Sequence, residues 1–314
     1  MKDEESAPRI LSWITRIVAP GYRAQGPPAH MVAIVVPLSS RPELNAEEEL
    51  SLRHLSHYLP EHDKFLVAPQ GAAIQRTGFN VVEFSHKFFG SAAAHNRLLM
   101  WPGFYSAFRD YQYILIYHLD SLVLSDEIEP WCKAGFDYIG APWVPCPETP
   151  WVKEARVGNG GFTLMNVESV LKVLYNRYRV EPAAYWSDLL MRNRRHLQPV
   201  FRILERLQPL FRNSRLINRP LEDYRKTEKP DIHGCNNDYF WSFEAERFLP
   251  GFKVASVEEG LRFAFEAAPR DCFERNGRQL PFGCHAWTKF DRAFWEPFLL
   301  KSSAAVENGA VSRR

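Results

Sequence analysis

The sequence has no long apolar run. No window approaches the roughly 18 consecutive apolar residues that a membrane-crossing helix needs, so a soluble or peripheral protein is expected. The first residues, MKDEESAPRILSWITRIVAPGYR, begin acidic, and their apolar part is short and broken by Arg16. They lack the basic start and apolar core of a secretory leader. Cysteine is sparse and unpatterned. Cys132, Cys146, Cys235, Cys272 and Cys284 are odd in number and include no C-x-x-C pair. That argues against a zinc ribbon and a secreted disulfide framework, and a reducing cytosol fits. Neither sign of charge dominates: 39 Lys and Arg against 37 Asp and Glu leave a net +2, which gives no global attraction to nucleic acid. Internal repeats and low-complexity tracts are also missing.

What is present describes a globular protein with a substantial core. The chain has 314 residues, 46% of them hydrophobic and 24% charged. Aromatic residues reach 14%; they build cores and also line carbohydrate or nucleotide sites. MVAIVVPLSS (31–40) is a β-branched run that reads as a buried strand. ELNAEEELSLRHLSHYL (43–59) carries Leu44, Leu52, Leu55 and Leu59 at helical spacing. KFLVAPQG (64–71) and NVVEFS (80–85) are further strands, and 91–111 reads as a helix broken at Pro102. YILIYHLDSLVL, Tyr113–Leu124, is a fourth strand with Asp120 at its tip. This alternation predicts an α/β fold with a mostly parallel central sheet. Ligands of such sheets gather beyond the carboxyl ends of the strands, where PLSSR (37–41) and Asp120 both lie.

A carboxylate amid apolar residues is costly unless it is paired or binds a metal. Asp120 therefore draws attention, as do Asp238 at a helix start and His285 in the late loop PFGCHAW. A carboxylate and an imidazole brought together can hold a divalent cation such as Mn²⁺. A second carboxylate kept apart can act as a general base. GNGGF (158–162) offers backbone that a ligand can approach closely.

YILIYHLDSLVL, FDYIGAPW, VGNGGFTLMN, CNNDYFW and PFGCHAW, in this order, resemble a family of glycosyltransferase-like domains of unknown function, the DUF5672-like domains. LSLRHLSHYLPEHDKFLVAP fits the start of the same pattern, so the likeness covers about residues 31–290. It implies a single Rossmann-like α/β domain of the glycosyltransferase-A type that binds a nucleotide-sugar. In that fold an Asp-x-Asp motif after a buried strand holds the metal bridging the donor diphosphate. Here the triplet is His118-Leu119-Asp120, with histidine in the first place. The resemblance implies Asp120 and His285 as ligands of Mn²⁺ or Mg²⁺, and Asp238 as the base of an inverting transfer. It implies donor contacts from Pro37, Leu38, Ser39, Arg41, Asn96, His118, Asp120, Gly160 and Gly161.

Each residue also has a plainer reading. Asp120 and Asp238 suit caps, His285 suits a hydrogen-bonded structural histidine, His118 a packed neighbour, and GNGGF a tight turn. Trp143 and Trp151 divide between core and cleft wall. Residues 192–219 hold eight arginines and one acid, Glu205. They form a solvated amphipathic helix or lie on an anionic membrane surface near a lipid-linked acceptor; nucleic acid is not expected as a partner. The expected organisation is an extension over 1–30, a domain over 31–300 with a basic helical insertion at about 180–230, and a disordered tail over 301–314. The expected activity is metal-assisted hexosyl transfer from a UDP-sugar to a saccharide or lipid-linked glycan hydroxyl, in the cytoplasm or at the inner face of a membrane. A non-catalytic nucleotide-sugar- or glycan-binding module on the same fold is the alternative. A nucleotidyltransferase would need a glycine-bearing phosphate loop after the first strand, and PLSSRPE has none.

Overall fold

The structure is a computed structural model that describes residues 26–39, 41, 43–150, 152–176 and 236–301. The basic insertion, the N-terminal extension up to residue 25, Trp151 and the tail beyond 301 lie outside the described residues. The chain divides into two compact units. The larger comprises Pro28–His95, Asp110–Asn166 and Lys253–Arg314, and the smaller comprises Met1–Pro27, Asn96–Arg109 and Val167–Phe252.

The larger unit is mixed α/β. Strand β1 (His30–Pro37) leads through helix α1 (Ala46–Tyr58) to β2 (Asp63–Pro69) and β3 (Asn80–Phe84), and α2 (Ala92–Leu99) follows, with its residues from Asn96 on counted in the smaller unit. Next come β4 (Tyr111–Tyr117), β5 (Leu122–Val123), β6 (Tyr138–Gly140), β7 (Pro142–Trp143), β8 (Arg156–Val157) and β9 (Phe162–Asn166). The last two strands are β10 (Ala264–Phe265) and β11 (Gly283–Cys284). The central sheet runs β3-β2-β1-β4-β9-β6. The pairs β1–β2, β2–β3 and β1–β4 are parallel, while β9 runs antiparallel to both its neighbours. The sheet is thus mostly parallel and Rossmann-like. Its strand order reverses between β1 and β4: the chain winds from β1 out to β3, then returns to the other side of β1.

Position in the sheet explains composition. β1 is central and covered on both faces, and Ala33 to Val36 are fully buried. That favours a continuous β-branched run over an alternating one. Helix α1 starts at Ala46 because Asn45 caps it. Asn45 Oδ1 accepts from the N–H groups of Glu47 and Glu48, each at 2.9 Å, and Glu48 returns a carboxylate to the Asn45 N–H at 2.8 Å. Leu44 and Leu59 therefore flank the helix. The reading of Tyr113–Leu124 as one strand is corrected. β4 stops at Tyr117, a turn follows, and β5 joins a second sheet ordered β10-β11-β5.

In the smaller unit, a short helix at Asn237–Tyr239 widens into a π turn at Phe240–Glu244 and closes as Ala245–Phe248. Phe240 and Trp241 are buried, and the Tyr239 and Phe243 rings stack at 4.5 Å. No helix among the described residues is long and apolar enough to cross a membrane.

His54 in α1 ties the end of the larger unit down. It is fully buried. Its Nδ1 donates to the Val123 carbonyl at 3.0 Å, and its Nε2 accepts from the Leu300 N–H at 3.0 Å. Burial, and then the nearby His57 and Arg53, hold its pKa below the ordinary 6.5. The unfolded chain therefore takes up the proton first, so the stability His54 contributes is complete above pH 6.5 and lost as pH falls below it. His62, His95 and His118 are shifted in the same direction. We expect His54→Leu to cost about 2–3 kcal/mol by stranding two polar backbone groups. Denaturant titrations should show a shallower loss of stability for the variant than for the native chain between about pH 7.5 and 5.5.

Candidate functional site

Backbone pairing brings three segments to one place. β5 lies antiparallel to β11, with Leu122 opposite Cys284, and β11 lies parallel to β10, with Cys284 opposite Phe265. The residues that follow or precede these pairs, Asp120, His285 and Glu266, consequently converge. Asp120 sits in a turn in which the Ser121 N–H donates to the His118 carbonyl at 3.0 Å. The turn is fastened to the glycine segment: the His118 N–H and the Ser121 hydroxyl both donate to the Gly161 carbonyl, at 2.8 and 3.1 Å. It is fastened to α1 as well, through the Ser51 hydroxyl donating to the Ser121 carbonyl at 2.7 Å. On the far side, Ala286 takes a left-handed φ of 52°, which costs a non-glycine residue about 1–2 kcal/mol. This bend lets the Trp287 N–H reach the Asp120 carbonyl at 3.2 Å.

His285 lies between two carboxylates. Its Nε2 is 3.2 Å from Asp120 Oδ1, and its Nδ1 is 3.1 Å from Glu266 Oε1. His285 and Glu266 are largely buried, whereas half of the Asp120 side chain, 49%, is exposed. Burial works to strip the proton from His285, but the two carboxylates more than offset it and push its pKa up to about 10. For Asp120, burial is outweighed by the hydrogen bond and charge of His285, and its pKa is held down at about 2. His118 and His95 form a second pair, Nε2 to Nε2 at 3.1 Å. Burial and then the charge of His285 lower His95 to about 4. Burial, His95 and His285 together hold His118 well below the usual imidazole value. At neutral pH, His285 is the cation of the group, and His118 and His95 are neutral and share one Nε2–Nε2 hydrogen bond.

One donor atom each from His118, Asp120 and His285 can be chosen so that all lie within 4.8 Å of one another. Nitrogen and oxygen ligands sit about 2.0–2.2 Å from a transition-metal ion, so two ligands of one ion stand roughly 3–4.4 Å apart. The three residues fit a shared cation with small side-chain movements.

Beside this cluster is a cavity of about 570 Å³ at the carboxyl ends of β1 and β4. Pro37, Leu38, Ser39 and Arg41 form one wall, the segment from Phe88 to Ala92 with His95 another, and His118, Leu119 and Asp120 a third. Arg41 is ion-paired with Glu48 at 2.6 Å and keeps more than half of its side chain exposed.

The other sequence-derived candidates are placed differently. Asn96 lies in the smaller unit, and its neighbour His95 lines the cavity. The Asn96 Oδ1 accepts from the Asn237 N–H at 3.2 Å and from the Asn237 amide at 2.7 Å. Asp238 also belongs to the smaller unit, where its Oδ1 accepts from the Tyr239 N–H at 2.8 Å. Gly160 is half-buried in the bend before β9. At Gly161 a Cβ would stand 2.1 Å from His285 Nε2, so the ring of His285 fills the space on that side of the backbone. Glu266 and His95 were missed from sequence.

Residues 78–285 match a domain family described as a protein of unknown function, DUF5672. The chain belongs to the DUF5672 family. Its family match takes in α2, the Asp120 turn, the glycine segment and His285, and therefore most of the cluster. No curated protein matches this DUF5672 chain. Solved structures also align with the chain. The apo-form glycosyltransferase GlyE of Streptococcus pneumoniae TIGR4 aligns with a TM-score of 0.42 and 12% identity, over 89% of this chain and 62% of that one. A197 from STIV aligns with a TM-score of 0.27 and 11% identity, over 45% of this chain and 66% of that one. The DUF5672 chain thus spans 62% of the length of GlyE, and likeness at this level says nothing about activity.

Gly161 provides a test of how the cluster is built. Gly161→Ala should destabilise the chain by about 1–3 kcal/mol through the clash with His285. The double variant Gly161→Ala/His285→Ala should lose less than the two single losses added together, because the small side chain at 285 removes the clash. Thermal or denaturant unfolding of the four proteins measures this, and strict additivity would contradict the packing described.

Proposed function

We propose that this chain is a glycosyltransferase of the glycosyltransferase-A type. It moves a hexose from a UDP-sugar to a hydroxyl of a saccharide or a lipid-linked glycan. The observation that carries the reading is the carboxylate–imidazole cluster at the rim of the cavity where the strand order reverses. Open α/β sheets bind their ligands at that place, and the cavity volume falls in the range of small-molecule sites.

In this reading Pro37, Leu38, Ser39 and Arg41 receive the nucleotide base and ribose, and His118 and Asp120 face the diphosphate. Asp120 and His285 would hold Mn²⁺ or Mg²⁺, which neutralises the charge that builds on the departing diphosphate. Gly160 lies beside the sugar, and Asn96 orients the donor. Asp238 takes the proton of the acceptor hydroxyl. The acceptor oxygen then bonds to the anomeric carbon as the bond to the diphosphate oxygen breaks, and the configuration inverts. The eight arginines of 192–219 would bring the enzyme to an anionic membrane surface carrying its acceptor.

A second reading is a non-catalytic nucleotide-sugar- or glycan-binding module. Two observations favour it. Histidine stands at 118 where the resemblance expects aspartate, and Asp120 already has a cationic partner in His285 at 3.2 Å.

A panel of nucleotide-sugars with Mn²⁺, followed by slow donor hydrolysis and thermal shift, separates the two. Transfer chemistry predicts donor turnover that is lost in Asp120→Asn and kept in Asp126→Asn, an exposed control. Asp238→Asn should slow turnover by about 10²–10⁴-fold while donor-induced stabilisation persists. Stabilisation by a donor with no turnover in the native chain would favour a nucleotide-sugar-binding module, and no response to any donor, with or without metal, would contradict the transferase and favour a glycan-binding module.

A further inference from the structure

The cluster carries more than a general capacity for divalent ions. Two of its three donors are imidazole nitrogens, on His118 and His285, and one is a carboxylate oxygen, on Asp120. Mg²⁺ is a hard ion that demands near-octahedral oxygen ligation and gives up its waters reluctantly. Imidazole donors suit later first-row ions, whose affinity for a given site rises from Mn²⁺ through Co²⁺ and remains high at Zn²⁺.

The groups around the donors are also those of a built metal site. Glu266 Oε1 lies 3.1 Å from His285 Nδ1. His285 Nε2 faces Asp120 Oδ1 at 3.2 Å; an ion bound there would displace the Nε2 proton, while the Nδ1 proton stays directed to Glu266. A carboxylate behind a metal-binding histidine fixes the tautomer, aims the ring and raises its basicity. Gly161 leaves the room that this ring position requires. Beside His118, the His95 ring stands with centroids 4.9 Å apart and the Nε2 atoms 3.1 Å apart, so His118 can donate its Nε2 proton to His95 and leave Nδ1 for an ion. Each imidazole donor therefore has its own backing group, and neither backing group is among the three donors.

We infer that His118, Asp120 and His285 form a nitrogen-rich site selective for Co²⁺ or Zn²⁺ over Mg²⁺, with Glu266 and His95 as positioning residues. Selectivity of this kind is a property of the chain before any nucleotide binds. It rests on the reading that Asp120 and His285 hold a metal and does not depend on sugar transfer. Within that reading it replaces the open choice of Mn²⁺ or Mg²⁺ with an order: Mg²⁺ weakest, Mn²⁺ intermediate, Co²⁺ and Zn²⁺ tightest. The imidazole at 118 is the origin of the order, because a carboxylate there would turn a nitrogen-rich set into an oxygen-rich one.

The test is a titration of the tag-free, chelator-treated full chain with Co²⁺, read by its visible absorption, followed by competition with Zn²⁺, Mn²⁺ and Mg²⁺. The expected result is one Co²⁺ per chain, displaced by Zn²⁺ and untouched by an approximately 100-fold excess of Mg²⁺. Glu266→Gln should weaken Co²⁺ binding by about 10–100-fold, with partial recovery in Glu266→Asp. Asp126→Asn should bind as the native chain does. His118→Asp, which keeps a ligand at the position if His118→Ala fails to fold, should shift preference toward Mg²⁺ and Mn²⁺. Displacement by Mg²⁺ at comparable concentration, an unchanged preference order in His118→Asp, or no Co²⁺ binding at all would each overturn the inference. Donor binding to the metal-free chain, measured in parallel, reports on the transferase reading separately. Equal affinity for Mg²⁺ and Co²⁺ together with donor turnover would sink the selectivity and spare the transferase. Selective Co²⁺ binding with no donor response would do the reverse.

Discussion

The site depends on a very small sheet. Two residues of β5 lie against two of β11, and two of β11 against two of β10. These few backbone hydrogen bonds set Asp120, His285 and Glu266 side by side, although they are separated by up to 165 positions along the chain. The burial of an imidazole between two carboxylates then follows. Desolvation opposes the charge on His285, the two acids outweigh it, and Asp120, the half-exposed acid of the pair, stands on the rim of the cavity. A buried charge persists only with a partner, so removing any one of the three leaves the others poorly compensated.

The large sheet contributes position and the small sheet contributes chemistry. β1 and β4 are adjacent and parallel, and the chain leaves them toward opposite sides. That divergence opens the crevice into which Pro37 to Ser39, Arg41 and His118 to Asp120 project. A fully covered central strand explains the unbroken apolar run of β1, and the same burial explains why polar residues begin at Ser39, where the strand ends. The turn at His118–Ser121 lets one segment serve both sheets. β4 stays in the core, β5 crosses to the small sheet, and Asp120 is displayed between them. The carboxylate that ended the apolar stretch in the sequence is thus an interruption between two strands of different sheets.

Much of this was legible in residues. The β-branched runs at 31–37 and 113–117, the capped helix after Asn45 and the alternation of elements all bear local signals. Asp120 stood out because a carboxylate flanked by Tyr117 and Leu122 is expensive without a partner. Glu266 was hidden because LRFAFEAAPRD carries no period-two signature: β10 is two residues long and abuts the helix at Val257–Phe263. His95 was passed over in favour of Asn96 because adjacent helix positions point about 100° apart, and sequence alone does not orient α2. The glycine at 161 was legible as a need for space, but not as space for His285, because the ring that fills it comes from 124 residues further along.

Anomalous diffraction from crystals of the chain grown with UDP and Co²⁺ tests the central claim most directly. The account predicts a single strong metal peak among His118, Asp120 and His285, with the diphosphate touching it and the uridine against Pro37–Arg41. A metal or a diphosphate bound elsewhere, with the His285–Asp120 contact intact and metal-free, would contradict it.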